Sequence, residues 1–225
     1  MAKLTAEESE IIGALIGDGY IHRKDKRSYC IGFTGSPQND VEYYEYILGL
    51  IKKVWKKDAK AKVRARGLRV AIHSKEIVTR LIDYFNMPYG ENKSFKVKIP
   101  KQMLQSWTLT KATLRGIVDT DGTVFVANKP GSPNYPSIEI ATSSIMLAKQ
   151  IRSVLIRHEF RVSNIWSYKS KNSTLTTHRL ALNGRENLKR WLSEIGFSNP
   201  YKYQRAVNAL RDDSSAWEST LANTR

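Results

Sequence analysis

The sequence predicts an α+β fold in which two pseudo-symmetric units each have the element order αββαββα. Two internal matches support this fold class. Residues 13–19 (GALIGDG) recur 103 positions later as residues 116–122 (GIVDTDG), and residues 68–72 (LRVAI) recur 110 positions later as residues 178–182 (HRLAL). Matches that keep their order along the chain are typical of a duplicated unit. Helical and strand-like periodicities also alternate in the same order in both halves.

The first unit begins with a helix that ends at Asp18 and Gly19. Thr5 and Glu8 have the spacing of a capping box, and apolar residues follow at helical spacing up to Ile16. The other elements are two strands, an amphipathic helix, a hairpin and a closing helix, at residues 20–23, 28–34, 40–55, 60–66, 68–73 and 75–85.

The second unit repeats this order. Its helices and strands are predicted at residues 114–120, 123–127, 137–142, 145–158, 161–168, 178–183 and 186–195. We therefore expect one unit over residues 1–105, a second over residues 106–211, and a tail without clear periodicity over residues 212–225.

The charge of the chain predicts a polyanionic partner. Among 225 residues, 37 Lys and Arg oppose 21 Asp and Glu, for a net charge of +16 at pH 7. Hydrophobic residues make up 41% of the chain, which is typical of a folded globule and excludes a disordered basic tail. Each half carries an excess of eight positive charges, 20 against 12 over residues 1–110 and 17 against 9 over residues 111–225. Both units are therefore expected to face the partner.

Cysteine and hydropathy patterns exclude several protein classes. The single cysteine, Cys30, can form neither an internal disulfide nor a cysteine-rich zinc site. No run approaches the roughly 18–20 apolar residues of a membrane span. The first ten residues carry acids where a secretion signal carries a basic and then an apolar region. We expect no membrane insertion and an intracellular protein, cytoplasmic in a prokaryote, with an organelle left open.

The two helices that end in Asp-Gly predict a metal site. Each has a stripe of small residues four positions apart, such as Gly13 and Gly17, so the two helices can pack closely. Packing would bring Asp18 and Asp121 together at the negative ends of two helix dipoles, where two like charges repel. A divalent cation such as Mg²⁺ would remove that conflict and could activate water. An isolated Asp-Gly is usually only a helix end and a turn, but two matched copies favour the metal site.

Residues 11–19 and 114–122 resemble the paired motifs of the LAGLIDADG homing endonucleases, in the single-chain form with two motifs. The second motif is the closer match. The first departs at Ile16, where an acid is common, but it keeps Asp18. The resemblance covers most of residues 5–211. It implies that the motif helices form the interface between the units and that two antiparallel sheets form a saddle over the DNA major groove.

The resemblance also implies the catalytic residues. By position, Asp18 and Asp121 would hold the metal and act in catalysis, and the backbone carbonyls of Gly17 and Thr120 would be accessory ligands. Asp119 is expected to be structural or to face solvent rather than to bind metal.

Two lysines are the matched basic residues that the resemblance places around the catalytic water. These are Lys93 and Lys202, for which an ordinary solvated position is the open alternative. Many members of this family carry Gln at a strand end where this chain has residues 34–36 and 141–143, so that part of the water network differs here.

Alternating cations predict a DNA-binding strand face. Four basic residues alternate with small apolar ones, which on a strand places them on one face: Lys60, Lys62, Arg64 and Arg66. A solvated edge strand is the alternative interpretation. Further candidates in the first unit are His22, Lys24, Lys26, Arg27 and Arg69. Those in the second are Asn128, Lys129, Asn134, Lys169, Lys171, His178 and Arg179. Since the two sets differ, we expect an asymmetric DNA site.

Together these features predict a site-specific endonuclease that makes a double-strand break at a long asymmetric DNA site by metal-dependent hydrolysis. Mg²⁺ is the expected cofactor, with Mn²⁺ substituting and Ca²⁺ supporting binding without cleavage. The partner is double-stranded DNA, and we expect a monomer without an obligate protein partner. An RNA-binding intron maturase is the alternative. A DNA-binding regulator without catalysis is less consistent with the chain, because both motif acids remain.

Overall fold

A computed structural model describes residues 3–24, 28–64, 67–90, 93–129, 132–169 and 175–211. It confirms the α+β class, with two four-stranded antiparallel sheets and helices packed against them. None of the helices in these ranges is both long and apolar enough to cross a membrane.

The first half of the chain contains the following elements. They are α1 (Ala6–Ile16), β1 (Gly19–Lys24), β2 (Ser28–Gly35), α2 (Val41–Trp55), β3 (Lys62–Arg64), β4 (Gly67–His73) and α3 (Lys75–Thr79), which continues into a π-helical turn, Arg80–Tyr84. A short helix α4 (Lys93–Lys96) and a 3₁₀ turn (Lys101–Leu104) lead to the second half.

The second half repeats the same order. Its elements are α5 (Trp107–Asp121), β5 (Gly122–Lys129), β6 (Ser132–Thr142), α6 (Ile145–Arg157), β7 (Trp166–Lys169), β8 (Thr176–Asn183), α7 (Arg185–Glu194) and α8 (Pro200–Arg211). The strand orders β1-β2-β4-β3 and β5-β6-β8-β7 are equivalent. In each sheet one face is apolar and buried, as at the paired residues Phe33 and Val70 or Ile140 and Leu180.

The motif helices α1 and α5 pack directly on each other, as predicted. A Cβ atom added to Gly13 would lie 2.3 Å from the carbonyl oxygen of Thr113, and one added to Gly116 would lie 2.3 Å from that of Glu10. Backbone therefore meets backbone at this crossing, and no larger side chain fits. This contact holds the last residues of the two helices side by side.

A buried ion pair ties α1 to the rest of the first half. Thr5 caps α1 by accepting a hydrogen bond from the backbone N–H of Glu8, at 3.2 Å. The reciprocal half of a capping box is replaced, because the Glu8 carboxylate instead accepts hydrogen bonds from Arg80 at 2.7 Å and from the Trp55 indole at 3.0 Å. Local sequence signals thus located the helix start but not the partner of its acid.

Several element boundaries differ from the sequence prediction. Helix α5 begins at Trp107 rather than near residue 114, because Ser106 caps it by accepting from the Leu109 N–H at 3.3 Å. Helices α4 and α8 are polar in sequence and were not predicted. Strand β7 is shorter than expected, since Val162 makes only an isolated bridge to β8.

Candidate metal centre and nucleic-acid interface

Asp18 lies just beyond the end of α1, where the chain turns into β1. Its backbone carbonyl accepts a hydrogen bond from the Thr34 N–H at 3.2 Å. Its carboxylate atom Oδ2 lies 3.4 Å from the hydroxyl of Tyr44 on α2. Burial raises the pKa of Asp18 above its ordinary value, while the positive charge of Lys202 acts in the opposite direction. The carboxylate is therefore held in a site that disfavours its isolated charge.

Asp121 is the last residue of α5 and lies next to the end of α1. A Cβ atom added to Gly17 would be 3.2 Å from the Asp121 carboxyl carbon and 2.0 Å from the Thr120 hydroxyl oxygen. Burial raises the pKa of Asp121 to about 7, and the negative charge of Asp18 adds to this effect. The structure therefore brings the two predicted acids together in a poorly solvated site.

Two lysines, Lys202 buried and Lys93 partly buried, close the C-terminal ends of the motif helices. Lys202 donates hydrogen bonds to the carbonyls of Val118 at 2.9 Å and Thr120 at 2.7 Å. Lys93 donates in the same way to three carbonyls at the end of the first motif, those of Leu15, Ile16 and Gly19. The ammonium groups satisfy helix-end carbonyls and oppose the helix dipoles. The alternative of ordinary solvated lysines is therefore wrong.

The lysines are also electrostatic partners of the two acids. Burial lowers the pKa of Lys93 to about 8, and the nearby charges of Asp121 and Asp18 limit that decrease. Burial likewise lowers the pKa of Lys202 from its ordinary value. Two acids and two lysines thus share one partly buried site, in which the pKa of each group depends on the charges of the others.

The residues present fit a hard divalent cation. Two carboxylates lie side by side, and among the described residues no group donates a hydrogen bond to that of Asp121. The same part of the chain contains no cluster of three or more His, Cys, Asp or Glu residues that could hold a metal, so the donors would be oxygen atoms of Asp18, Asp121 and the backbone. Mg²⁺ is commonly bound by one or two carboxylates together with water and phosphate oxygens. Of the two expected accessory carbonyls, that of Thr120 already accepts a hydrogen bond from Lys202.

An open cleft of about 430 Å³ lies beside Asp121. Lys93 and Gly17 line it from the first half, and Thr142 and Ser143 line it from the second. The cleft gives the second motif acid access to a ligand from outside.

Comparison with known proteins agrees with this geometry. The family model for a LAGLIDADG-like domain matches residues 108–196. They include the second motif, with Thr120 and Asp121, and the whole sheet β5-β6-β8-β7.

Several solved structures of homing endonucleases have a fold similar to that of this chain. I-DmoI in complex with DNA and Ca aligns with a TM-score of 0.62 at 14% identity, over 90% of this chain and 96% of that chain. I-WcaI bound to its DNA recognition sequence aligns with a TM-score of 0.60 at 17% identity, over 93% and 88%. I-SmaMI bound to uncleaved DNA target with calcium ions aligns with a TM-score of 0.58 at 11% identity, over 95% and 93%. The fold of both halves is therefore that of these LAGLIDADG proteins, and the resemblance found in the sequence is confirmed.

Two curated proteins are also similar in sequence to this chain. Both are replication factor C small subunits, from Methanocaldococcus jannaschii (29% identical over 211 residues) and Thermococcus kodakarensis (27% identical over 221 residues). The matches cover 92% and 96% of this chain but only 10% and 22% of those proteins. The chain therefore spans a small part of each of these relatives.

The outer face of the first sheet is cationic. Lys62 pairs with Arg69 and Arg64 pairs with Gly67, so the three basic residues share a face, opposite to that of the buried residue Leu68. By the same alternation His22 and Lys24 project from this face, and both are exposed. Lys60 is also exposed, just before β3.

Strand β3 is less regular than the alternation of its residues predicts. It spans three residues, all of them exposed, and Val63 is 51% exposed. Cations and small apolar residues therefore alternate on a strand at the edge of the sheet that is open on both sides.

The outer face of the second sheet is mixed rather than cationic. Arg179 donates hydrogen bonds to Glu139 at 2.7 Å and to the Tyr168 hydroxyl at 2.6 Å. Trp166, which is 61% exposed, stacks on Tyr168 with ring centroids 5.0 Å apart. The guanidinium is thus already held within the sheet beside an exposed aromatic pair. Sequence reasoning identified Arg179 but none of its three neighbours.

Other candidates in the second half do not share the Arg179 face. His178 precedes Arg179 on β8 and accepts or donates a hydrogen bond with Ser167 at 2.7 Å, so strand alternation places it on the other face. Lys169 has the same parity as Ser167 on β7 and lies on that other face too. These two candidates therefore lie on the face of the sheet opposite to that of Arg179.

The remaining candidates of the second half lie near the end of β5 and the start of β6. Asn128 is exposed, and its side-chain oxygen accepts a hydrogen bond from the Asn134 N–H at 3.2 Å. Lys129 ends β5. Four further candidates lie outside the described residues, namely Lys26, Arg27, Arg66 and Lys171.

Asp119 is buried, so it does not face solvent, and its neighbour Asn199 links it to the first half. It is 1% exposed, and its carboxylate accepts a hydrogen bond from the Ser198 N–H at 2.8 Å. Asn199 donates to the Asp119 carbonyl and to the Asp40 carboxylate, both at 3.2 Å. Burial raises the pKa of Asp119 to about 7. Asn199 also caps α8, the helix that carries Lys202 to the site, and Asn199 followed by Pro200 is the sequence signal that could have located this helix start.

Proposed function

We propose that this chain is a site-specific DNA endonuclease that hydrolyses one phosphodiester bond in each strand of a duplex and so makes a double-strand break. The observation that supports this proposal is the pairing of Asp18 with Asp121 at the ends of two closely packed helices. The solved structures with the same fold include I-DmoI in complex with DNA and Mn, which bears on both the partner and the metal.

The two acids would hold the catalytic cation. When bound, Mg²⁺ would stabilise negative charge on a phosphate oxygen and lower the pKa of a bound water molecule. Asp18 and Asp121 would supply carboxylate oxygens, and the Gly17 carbonyl is a further candidate donor. Lys93 and Lys202 keep two positive charges beside the acids and orient the ends of the motif helices. We propose Mg²⁺ as the physiological cation, Mn²⁺ as a substitute, and Ca²⁺ as an ion that supports binding without cleavage.

The two sheets would hold the duplex. The cationic face with Lys62, Arg64 and Arg69 is suited to phosphates and guanine edges, whereas the second face presents Trp166 and a guanidinium already paired within the sheet. Because the faces differ chemically, the proposed site is long and asymmetric. We propose that the chain acts as a monomer, with the units divided between residues 105 and 106, at the Ser106 cap of the second motif helix.

A plasmid library with randomised inserts tests this proposal. Supercoiled plasmids are incubated with the protein and Mg²⁺, and linear products are isolated and sequenced to define the site. Linear product is expected with the wild-type protein and not with Asp18→Asn or Asp121→Asn, while both variants should still bind the selected duplex in Ca²⁺. If no linear product forms with Mg²⁺ or Mn²⁺ at any temperature tested, the nuclease proposal is wrong. RNA binding without DNA cleavage would instead favour the maturase alternative.

A further inference from the structure

Tyr44 places a hydroxyl group against one of the two motif acids. The residue is 0% exposed, and its ring packs against Phe33 and Tyr43 with centroid distances of 5.6 and 5.4 Å. The hydroxyl lies 3.0 Å from the carbonyl oxygen of Thr34 and 3.4 Å from Asp18 Oδ2. Because the ring is fixed by packing, the position of the hydroxyl is fixed as well.

Gly35 makes the space for this tyrosine. A Cβ atom added to Gly35 would lie 2.5 Å from Cε2 of the Tyr44 ring. Any larger residue there would displace the ring. The pair of Gly35 and Tyr44 therefore forms a built pocket for a hydroxyl at Asp18.

The second half has no equivalent of this pair. Helices α2 and α6 occupy equivalent places in the two halves, and their N-cap residues are Asp40 and Ser144. Four positions after each cap, Tyr44 in the first half corresponds to Ala148 in the second. Gly35 pairs with residue 68 of β4, and Thr142 pairs with residue 178 of β8. Since residues 68 and 178 are equivalent in the repeat, Gly35 corresponds to Thr142. A small residue on the helix and a larger one on the strand have replaced the tyrosine and glycine. Within the described residues, no hydroxyl or other group donates a hydrogen bond to the Asp121 carboxylate, which borders the open cleft.

We propose that Tyr44 is a positioning residue that fixes the Asp18 carboxylate toward the bound cation and makes the two strand cuts unequal. This inference rests on the proposed function. The single hydroxyl proton has two acceptors, the Thr34 carbonyl oxygen at 3.0 Å and Asp18 Oδ2 at 3.4 Å. The fixed hydroxyl thereby holds Asp18 Oδ2 on one side and leaves the other carboxylate oxygen free for a metal. Asp121 has no such donor and takes its orientation from the ligand. In this proposal each acid also serves the phosphate of the strand nearer to it, so loss of the hydroxyl slows the cut served by Asp18 more than the cut served by Asp121.

The variant pair Tyr44→Phe and Tyr43→Phe tests this inference. Tyr43 is the neighbouring buried tyrosine, and its hydroxyl has no hydrogen-bond partner among the described residues, so the control makes the same chemical change away from Asp18. A duplex selected by the wild-type protein carries a different fluorophore on each strand, and the rate constant of cleavage is measured for each strand.

We expect Tyr44→Phe to slow one strand about fivefold to tenfold relative to the other, so that nicked duplex accumulates, since hydrogen bonds to charged groups are among the stronger ones. Tyr43→Phe should keep the wild-type ratio of the two rate constants. An unchanged ratio in Tyr44→Phe, or equal slowing of both strands, would overturn the inference.

Calorimetric titration of Ca²⁺ into the protein–DNA complex gives a readout without cleavage. Tyr44→Phe should bind Ca²⁺ several-fold more weakly than Tyr43→Phe, and equal affinities would also count against the role of Tyr44. If the wild-type protein cuts neither strand, the proposed function itself is refuted. If the wild-type protein cuts both strands and Tyr44→Phe keeps its ratio, only the role of Tyr44 is refuted.

Discussion

Replacement of Asp121 by Asn should stabilise the protein in the absence of metal, in a pH-dependent way. Burial and the charge of Asp18 raise the pKa of Asp121 from 3.8 to about 7 in the folded state. One pKa unit corresponds to about 1.4 kcal/mol, so the charged carboxylate destabilises the folded protein by up to about 4 kcal/mol at pH 8. Asn keeps the shape of the side chain but carries no charge, and it removes this penalty.

The direction of the pH effect follows from proton binding. Between about pH 4 and pH 7 the folded state holds a proton on Asp121 that the unfolded chain has lost, so the stability of the wild-type protein falls as the pH rises. The gain from Asp121→Asn should therefore be near zero at about pH 4, grow up to about pH 7 and stay constant above it. Mg²⁺ should stabilise the wild-type protein at pH 8 but have little effect on the variant.

Urea denaturation at about pH 4 and about pH 8, with and without Mg²⁺, measures these differences. Asp58→Asn is the matched control, because Asp58 is an exposed acid with 80% of its side chain accessible. Two results would contradict this reasoning: Asp121→Asn is no more stable than wild type at pH 8, or its gain in unfolding free energy is the same at both pH values. In either case the charged Asp121 carboxylate does not destabilise the folded protein.

Three further predictions concern helix packing, a second ion pair of α1 that joins Glu10 to Arg115, and DNA binding. Gly116→Ala should lose about 3 kcal/mol or more of unfolding free energy, because the added Cβ atom meets the backbone of α1. Gly49→Ala is the control: a Cβ atom there meets nothing within 4 Å, so this variant should gain about 0.5–1 kcal/mol. If urea denaturation shows similar effects for the two variants, the close helix crossing is refuted. Arg115→Met should lower the unfolding free energy by about 3–5 kcal/mol in the same assay. The Arg115 guanidinium lies 2.6 Å from the buried Glu10 carboxylate, which the substitution leaves without its cation. A loss below about 1 kcal/mol would contradict this. Lys62→Ala should reduce the slope of log K against log salt for duplex binding by about one, and an unchanged slope in fluorescence anisotropy would exclude a phosphate contact.

Much of the fold follows from patterns that are local in the chain. The helix α1 could be placed because Thr5 and the apolar spacing after it act within a few residues. Helix α8 was missed because its sequence is largely polar, although Asn199 and Pro200 are a local signal for its start. Its contact with the motif helix through the buried Lys202 is tertiary and could not be predicted from a local pattern. Likewise, the face to which His178 points depends on the register of β8, which pairing with β6 and β7 decides.

By itself, the sequence determined the duplication, the close packing of two motif helices and the two acids that end them. Those features depend on small residues and carboxylates at set spacings, which a linear pattern records directly. Only the tertiary structure decided the surroundings of the acids. Tyr44 reaches Asp18 across 26 positions and Lys202 reaches Thr120 across 82. Such contacts depend on how buried side chains pack against one another. Among the described residues the lysine contact recurs in both halves, whereas the tyrosine contact occurs in the first half, so two similar motifs acquire different chemical environments.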